Sequence, residues 1–456
     1  MLLFSPRLVV SMVKPPEKPP ALDPIVQSVI STDRLPRIFD TMNGAMTTEH
    51  YLHWADLRYK KPPGDLSREE WWLGLKWGRS QWIKRIPLTD LTGSAFCFSV
   101  PEVAQRQLHE LDQQLSGQIA VSEVVTDPAT RDRYVVSSLI EEAITSSQLE
   151  GASTTRRVAR DMLRSGRPPI DKSERMILNN YLAMRHVVDH RDQELTPEFV
   201  LELHGIVSHG TLSGPEAEGR LQTPDEDRVA VWAGDQIVHW PPPAAELPDR
   251  LALMCAFANG STDEGFIHPV LRAVMLHFWL AYEHPFEDGN GRTARALFYW
   301  SMLKQGYWLA EFLTISSILR AAPAKYARSY LFTESDGNDL TYFILYQLNV
   351  VVRAMMALQS YLRRKMQEVI EAESYFKEAA ELNHRQLALL SHAIRHPGHA
   401  YTVESHRVSH HVVYQTARSD LIGLQKKGLL ECNRRGKRFV FVLTENLRGH
   451  FKGSAA

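Results

Sequence analysis

Apolar residues recur at helical spacing over most of this 456-residue chain. They are densest from Pro269 to Tyr282, where Val270, Leu271, Val274, Met275, Phe278 and Trp279 follow a proline suited to a first helical turn. Pro285 disfavours helical geometry at the residue before it, so this helix should stop at His284 and leave the imidazole on a loop. Helical spacing resumes from Thr293 to Gln305 through Ala296, Leu297, Trp300 and Leu303, with Gly306 as the stop. Upstream, Asp132 to Leu149 reads as a helix with Val135, Val136, Leu139, Ile140, Ala143 and Ile144 on one side. Ser67-Arg68-Glu69-Glu70 is a capping box that predicts a helix running through Lys84. Arg228–Ala233 and Gln236–Trp240 are short β-like runs, joined through the turn-forming pair Gly234-Asp235 and ended by Pro241-Pro242-Pro243. The expected fold class is mainly α, with one β-hairpin in the middle of the chain.

After a long helical run, Leu340–Ala380, the character changes. Helix (His384–Arg395), strand (Tyr401–Val403), helix (Val412–Lys427) and hairpin (Leu429–Cys432 with Arg438–Leu443, turning at Asn433 to Lys437) follow in the order of a winged helix-turn-helix. Tyr414 to Leu421 then stands at the recognition-helix place. Residues 383–456 hold twelve Lys/Arg against four Asp/Glu, a formal +8, whereas the whole chain is −1, so the remainder is about −9. A basic helix and wing suit DNA phosphates. Winged helices also serve as protein-contact or dimerisation modules, so DNA and a homodimer both remain open as partners.

Composition narrows the setting. A hydrophobic fraction of 44% is ordinary for a globular chain. The three cysteines, Cys97, Cys255 and Cys432, are dispersed and show no metal-ligand spacing, which suits a reducing compartment. Met1-Leu2-Leu3-Phe4 is broken by Ser5, Pro6 and Arg7, too short for a secretory segment, and no run reads as a membrane span. The expectation is a cytoplasmic protein with no membrane partner. Trp54, Trp71, Trp72, Trp77 and Trp82, half of the ten tryptophans, predict an N-terminal helical layer packed on the core.

The chemistry concentrates in His284-Pro285-Phe286-Glu287-Asp288-Gly289-Asn290-Gly291-Arg292-Thr293-Ala294-Arg295. Gly289-Asn290-Gly291 sits at a helix start, where free N–H groups and the positive dipole end favour phosphate. His284 suits a general base near neutral pH, and Asp288 offers hard oxygens for Mg²⁺ beside phosphate. Arg292 and Arg295 share one helix face and can both reach phosphate.

This string resembles, without a gap, the H-x-F-x-D-G-N-G-R-x-x-R signature of the Fic family, and His268-Pro269, Ala273, His277 and Phe278 before it also look like that family. Glu283 departs from it, standing where an apolar residue often precedes the histidine. The resemblance implies a helical Fic core and transfer of AMP from ATP, with Mg²⁺, to a Ser, Thr or Tyr hydroxyl of a target protein or of the chain itself. On it, His284 deprotonates the hydroxyl, Phe286 anchors the loop, Asp288 holds Mg²⁺, and Gly289, Asn290 and Gly291 cradle the phosphates. Arg292 would neutralise the leaving pyrophosphate and Arg295 position the γ-phosphate.

The same resemblance makes Ser146-x-x-x-Glu150-Gly151 an inhibitory helix over about 132–151, with Glu150 pairing Arg295 and blocking the γ-phosphate site. It makes the hairpin, with Val229, Val231, Ile237 and His239, a flap that holds the target segment, and it puts Tyr326 or Tyr330 near the adenine. The expected organisation is an N-terminal extension (1–100), a Fic domain (101–380) and a winged-helix domain (383–456). Removal of AMP, use of another nucleotide, and a DNA-binding regulator with a nucleotide-sensing Fic core remain alternatives.

Overall fold

The structure is a computed structural model that describes residues 14–46, 51–116, 128–233, 235–379, 382–395, 399–435 and 438–444. Met1 to Arg7, Gly234 of the hairpin turn, Ala380, and Gly436-Lys437 of the basic turn lie outside these residues, and of Val135 and Val136 only the backbone is described. The chain divides into two compact units, 1–119 with 137–355, and 120–136 with 356–456.

At the centre of the first unit two helices pack against each other, Pro269–Glu283 and Asn290–Lys304. Both are buried nearly all round, with Val270, Val274, Phe278, Leu297, Phe298 and Trp300 among the enclosed side chains. Pro269–Glu283 has hardly a polar face and must be enclosed on every side, whereas Asn290–Lys304 also encloses Arg292, Thr293, Arg295 and Ser301. Helices Lys172–Asp189 and Pro197–Ser208 cover Asn290–Lys304, and Leu247–Ala258 covers Pro269–Glu283.

The N-terminal residues belong to the same unit. The Ser67 hydroxyl accepts from the Glu70 N–H at 3.1 Å while the Glu70 carboxylate accepts from the Ser67 N–H at 2.6 Å, so the capping box is formed. Its helix ends at Ser80, short of Lys84, because the chain turns into an antiparallel hairpin, Lys84–Thr89 with Ala95–Phe98. Asp90 closes that hairpin by accepting from the N–H groups of Thr92 (2.8 Å) and Ser94 (2.9 Å). Trp54, Trp71 and Trp72 are buried with Ala45, Leu57 and Leu75, and Trp77 packs beside Val29, Ile38 and Leu73. Trp82 is 63% exposed and takes no part in the layer.

The second hairpin strand is stitched to the far end of the unit. Cys97 donates its N–H to the Asn338 carbonyl at 3.0 Å and accepts from the Leu340 N–H at 2.7 Å. Asp339 accepts from the Thr341 N–H (3.0 Å) and the Tyr51 hydroxyl (2.6 Å), the role of a helix cap. The long helix that follows is Thr341–Ala379. Its stretch Thr341–Arg364 is long and apolar enough by composition to cross a membrane, with mean hydropathy 1.3, which corrects the expectation that no run is. Since 61% of that window is buried inside the chain, it has the setting of a core helix.

The second unit holds helices His384–Arg395, Val403–His410 and Tyr414–Lys426 and the hairpin Leu430–Arg435 with Arg438–Leu443, packed around Leu389, Leu390, Leu421, Leu424 and Phe441. Instead of the expected strand Tyr401–Val403, only Tyr401 pairs, with Phe441. Thr402 then caps a helix by accepting from the Ser405 N–H at 3.0 Å. His411 leaves that helix at a positive φ of 50°, which delays the next helix to Tyr414.

Candidate active site

His284 ends the helix Pro269–Glu283, as Pro285 requires, and it does so in left-handed geometry (φ 46°, ψ 51°). Its Nδ1 lies 3.3 Å from the Ala281 carbonyl, which can only accept, so Nδ1 carries the hydrogen and Nε2 keeps its lone pair. Burial, and then the positive charge of His239, push this imidazole down to about 4, so it is neutral at physiological pH. A neutral ring with a free Nε2 can accept a proton.

The loop after it is held from inside. The Phe286 N–H donates to Asn290 Oδ1 at 3.0 Å, and Asn290 Nδ2 donates back to the Phe286 carbonyl at 2.8 Å. The side-chain amide of Asn290 is therefore engaged within the loop. Phe286 is fully buried, its ring stacked on His204 with centroids 3.7 Å apart and planes 4° from parallel.

His204, on Pro197–Ser208, accepts the Gly219 N–H at Nδ1 (3.1 Å) and donates from Nε2 to the Asp288 carbonyl (2.9 Å). Burial pushes it down to about 4, consistent with a neutral ring in a fixed tautomer. Sequence reasoning missed this residue; a single histidine on an apolar helix face gives no local signal.

Gly289 (φ 88°) precedes the helix Asn290–Lys304, which starts three residues before the expected Thr293 and so places Asn290 and Gly291 in its first turn. Arg292 and Arg295 are both buried. Arg292 Nη1 donates to the Val207 carbonyl at 3.1 Å, and Nη2 lies 3.7 Å from Asp288 Oδ2. Arg295 donates to the Ser146 hydroxyl (2.9 Å), the Ser146 carbonyl (3.1 Å) and Glu150 Oε1 (2.8 Å). Among the described residues, Arg292 Nε and Nη2 and Arg295 Nη1 are buried without a hydrogen-bond partner. Orphaned donors on two adjacent guanidiniums, above a helix N-terminus, are chemically suited to cradle an anion.

Glu150 sits in that cradle. A Cβ added at Gly291 would collide with its carboxylate and lie 3.1 Å from Arg295 Nη1. Glu150 follows the helix Pro128–Leu149, the observed form of the expected 132–151 segment, and Ser146 on that helix is buried against Arg295. Beyond Arg295, Tyr326 bonds His277 Nε2 (2.8 Å) and Tyr330 (3.1 Å) through its hydroxyl, and Tyr330 stacks on Phe278. Arg295 is close enough to interact electrostatically with both hydroxyls, so both tyrosines stand beside the cradle.

Among the described residues no three His, Cys, Asp or Glu side chains group as a metal cluster. The residues present still fit Mg²⁺. Asp288 is half-buried, with Oδ1 accepting from the Gly289 N–H at 2.6 Å, and a single carboxylate plus phosphate oxygens is the usual way that ion is held.

The hairpin strands are Val231–Ala233 and Gln236–His239, with Val231 opposite His239 and Trp232 opposite Ile237. Val229 falls before the first strand. Trp232 (44%) and Ile237 (43%) are exposed on the register, whereas His239 is buried, its imidazole turned inward. His239, expected among the flap residues that hold a target, instead lies on the inner side: the register shift between Val231 and Trp232 breaks the alternation, so it does not share the exposed face of Ile237 two residues before it. Arg228, also missed, bonds Pro242 and Gln222 and reaches the backbone of His284. Glu283, the departure from the signature, is buried and pushed up to about 7, although Arg250 (3.2 Å) and Trp279 (3.1 Å) donate to its Oε1.

The arrangement defines a class: a helical protein that presents a histidine and an anion cradle on a loop between two enclosed helices. Residues 194–302 match the Fic/DOC family. It is 24% identical over 218 residues to a protein named Protein adenylyltransferase Fic from Nematostella vectensis, covering 46% of this chain and 48% of the relative. A protein of the same name from Drosophila erecta is 29% identical over 214 residues, covering 46% of this chain and 40% of the relative. The chain thus spans about half the length, or less, of these relatives. A Fic family protein from Desulfovibrio desulfuricans G20 superposes with a TM-score of 0.52 at 18% identity, over 76% of this chain and 97% of that one, and shares the fold.

Proposed function

We propose that this chain is an autoinhibited protein adenylyltransferase that moves AMP from ATP to a protein hydroxyl. The observation that carries this reading is the Glu150 carboxylate over Gly291, paired to Arg295 among unpartnered guanidinium nitrogens. The names of the relatives support the reaction class.

On this reading His284 Nε2 takes the proton of a Ser, Thr or Tyr hydroxyl. The oxygen attacks the α-phosphorus, the bond to the bridging oxygen of the β-phosphate breaks, and pyrophosphate leaves. Arg292 and the first-turn N–H groups hold the charge that develops on the departing phosphates. Mg²⁺, held by Asp288 with phosphate oxygens, would supply further charge neutralisation. Arg295 would hold the γ-phosphate, and Glu150 takes that place in the resting state. The hairpin, through Val229, Val231 and Ile237, would align the target segment by strand pairing, and Tyr326 and Tyr330 would border the base.

The test is transfer of labelled AMP by the full chain. Glu150→Gly should transfer strongly, wild type weakly, and Glu150→Gly with His284→Ala not at all. No gain in Glu150→Gly over wild type rejects the autoinhibited enzyme.

A separate reading concerns the second unit, which we propose is a winged helix that binds duplex DNA. Support comes from the exposed start of Tyr414–Lys426, where Val413, Tyr414, Gln415, Arg418 and Ser419 face solvent, within a stretch of formal charge +8. A salt-dependent mobility shift with the full chain tests it. Arg418→Ala should weaken the shift, and no shift at low salt rejects DNA.

A further inference from the structure

The helix that delivers His284 ends in carbonyls that need partners, since the last turn of a helix has none of its own. Here the hairpin supplies them, and both donors are basic side chains. His239 Nε2 donates to the Tyr282 carbonyl at 2.7 Å. Arg228 Nη2 donates to the Glu283 carbonyl at 2.7 Å and to the His284 carbonyl at 3.1 Å. Three consecutive carbonyls are thus covered from one hairpin, at the helix end where positive charge is favoured.

Each donor is fixed from behind. Arg228 stands just before the first strand, and its Nε donates to the carbonyl of Pro242, just past the second, at 2.7 Å. Its Nη1 is bonded to Gln222 Oε1. One guanidinium therefore ties both feet of the hairpin to the backbone of the histidine. His239 Nδ1 lies 2.8 Å from Glu334 Oε2 on the helix Pro323–Ser335. The Tyr282 carbonyl can only accept, so with Glu334 ionised the ring donates at both nitrogens and is an imidazolium. Burial opposes that charge, but Glu334, the Tyr282 carbonyl and Glu283 raise the imidazole above its ordinary value. The titratable groups around the ring are Glu334, Glu283 and, across the turn, the neutral His284.

His284 itself needs such support. A side chain with a Cβ is strained at φ 46° and stays there only where its surroundings hold it. We propose that Arg228 and His239 are positioning residues, cations of the hairpin that cap the helix and lock the left-handed turn of His284, so that a target segment on the hairpin and the base that deprotonates it keep one register. This deepens, and rests on, the reading of His284 as the base. A hairpin that only held substrate would have no need to bond the backbone of the base.

Two measurements on the full chain test it. The first uses the Glu150→Gly chain carrying Arg228→Gln, Arg228→Lys or His239→Asn, with AMP transfer, ATP affinity by calorimetry and thermal melting read together. Expected are a fall in kcat of roughly ten- to a hundredfold, as for a misplaced reacting group, an ATP Kd changed less than about twofold, and partial recovery in Arg228→Lys. Because a nearby cation depresses His284, His239→Asn should also move the acid limb of the pH–rate profile to higher pH. An unchanged kcat, or a loss that follows melting alone with no movement of the limb, overturns the proposal.

The second measurement requires no activity: histidine ¹³C NMR titration of the wild-type chain, with His239→Asn giving the assignment. His239 should remain protonated above the ordinary histidine range; a His239 that is neutral at pH 6 overturns the cap. If Glu150→Gly transfers nothing, the enzymatic reading has failed while the titration still decides the cap.

Discussion

Glu150 Oε1 and Arg295 Nη2 stand 2.8 Å apart, with the arginine side chain 2% exposed and the glutamate 27%. Ser146 holds the same guanidinium through its hydroxyl and its carbonyl. Opening one side of a buried pair costs on the order of 3–5 kcal/mol, and the partial exposure of Glu150 puts this one toward the lower end. Graded relief should follow. Glu150→Gln keeps a hydrogen-bond acceptor and loses the charge, so its AMP transfer should fall between wild type and Glu150→Gly, as initial rates of label incorporation would report. Ser146→Ala should raise the rate by less than either.

Gly291 admits no side chain where it lies. In the Glu150→Gly chain, Gly291→Ala brings a methyl to within contact of Arg295 Nη1 and over the first helical turn. Nucleotide affinity should fall roughly tenfold, a cost near 1.4 kcal/mol, with little change in melting temperature, because alanine favours a helix more than glycine does. Calorimetric titration with ATP checks both the sign and the size. Unchanged affinity would mean that phosphates do not approach this turn.

His204 links stability to acid. Its folded value of about 4 lies below the ordinary 6.5, so its contribution is full above pH 6.5 and is lost as pH falls toward 4. The shift corresponds to about 3 kcal/mol at most. His53 and His277, each pushed down to about 3 chiefly by burial, act in the same direction. The urea midpoint should drop between pH 7 and pH 5, and less steeply in His204→Gln. His204→Phe should keep the stack on Phe286 yet lose both hydrogen bonds, lowering stability by about 1–3 kcal/mol.

Glu283 works in the opposite sense. A carboxyl raised to about 7 contributes less as pH climbs from 4.5 through 7. Glu283→Gln should therefore gain stability relative to wild type at pH 8, by roughly 1–2 kcal/mol, and show little difference at pH 5. Chemical denaturation at the two pH values settles it; a variant less stable at pH 8 would show that the Arg250 pairing outweighs burial.

The centre of the fold was legible because its signals are local. Pro285 ends a helix at His284 whatever surrounds it, the glycines open the next helix, and Ser67 with Glu70 mark a capped start. Glu150 was legible only through resemblance, since nothing in Ser146–Gly151 points by itself to Arg295, 145 residues later. His204, Arg228 and the inward turn of His239 were not legible at all. Their partners (Asp288, the His284 carbonyl, Glu334) lie 56 to 95 residues away in sequence. The hairpin Lys84–Thr89 with Ala95–Phe98 was hidden by the helical pattern before it. The helix Val403–His410 was hidden for another reason: Thr402 and Ser405 form a box with serine in place of the usual acidic partner.

The stretch recognised as Fic/DOC, 194–302, contains the histidine, the glycines and both guanidiniums, but the carboxylate that faces them comes from residue 150. If Glu150 restrains transfer as proposed, comparison confined to the recognised stretch sorts chains by competence and is blind to restraint. Two proteins alike across those hundred-odd residues can differ in whether they rest idle or run unchecked, according to a segment that such a comparison never reads.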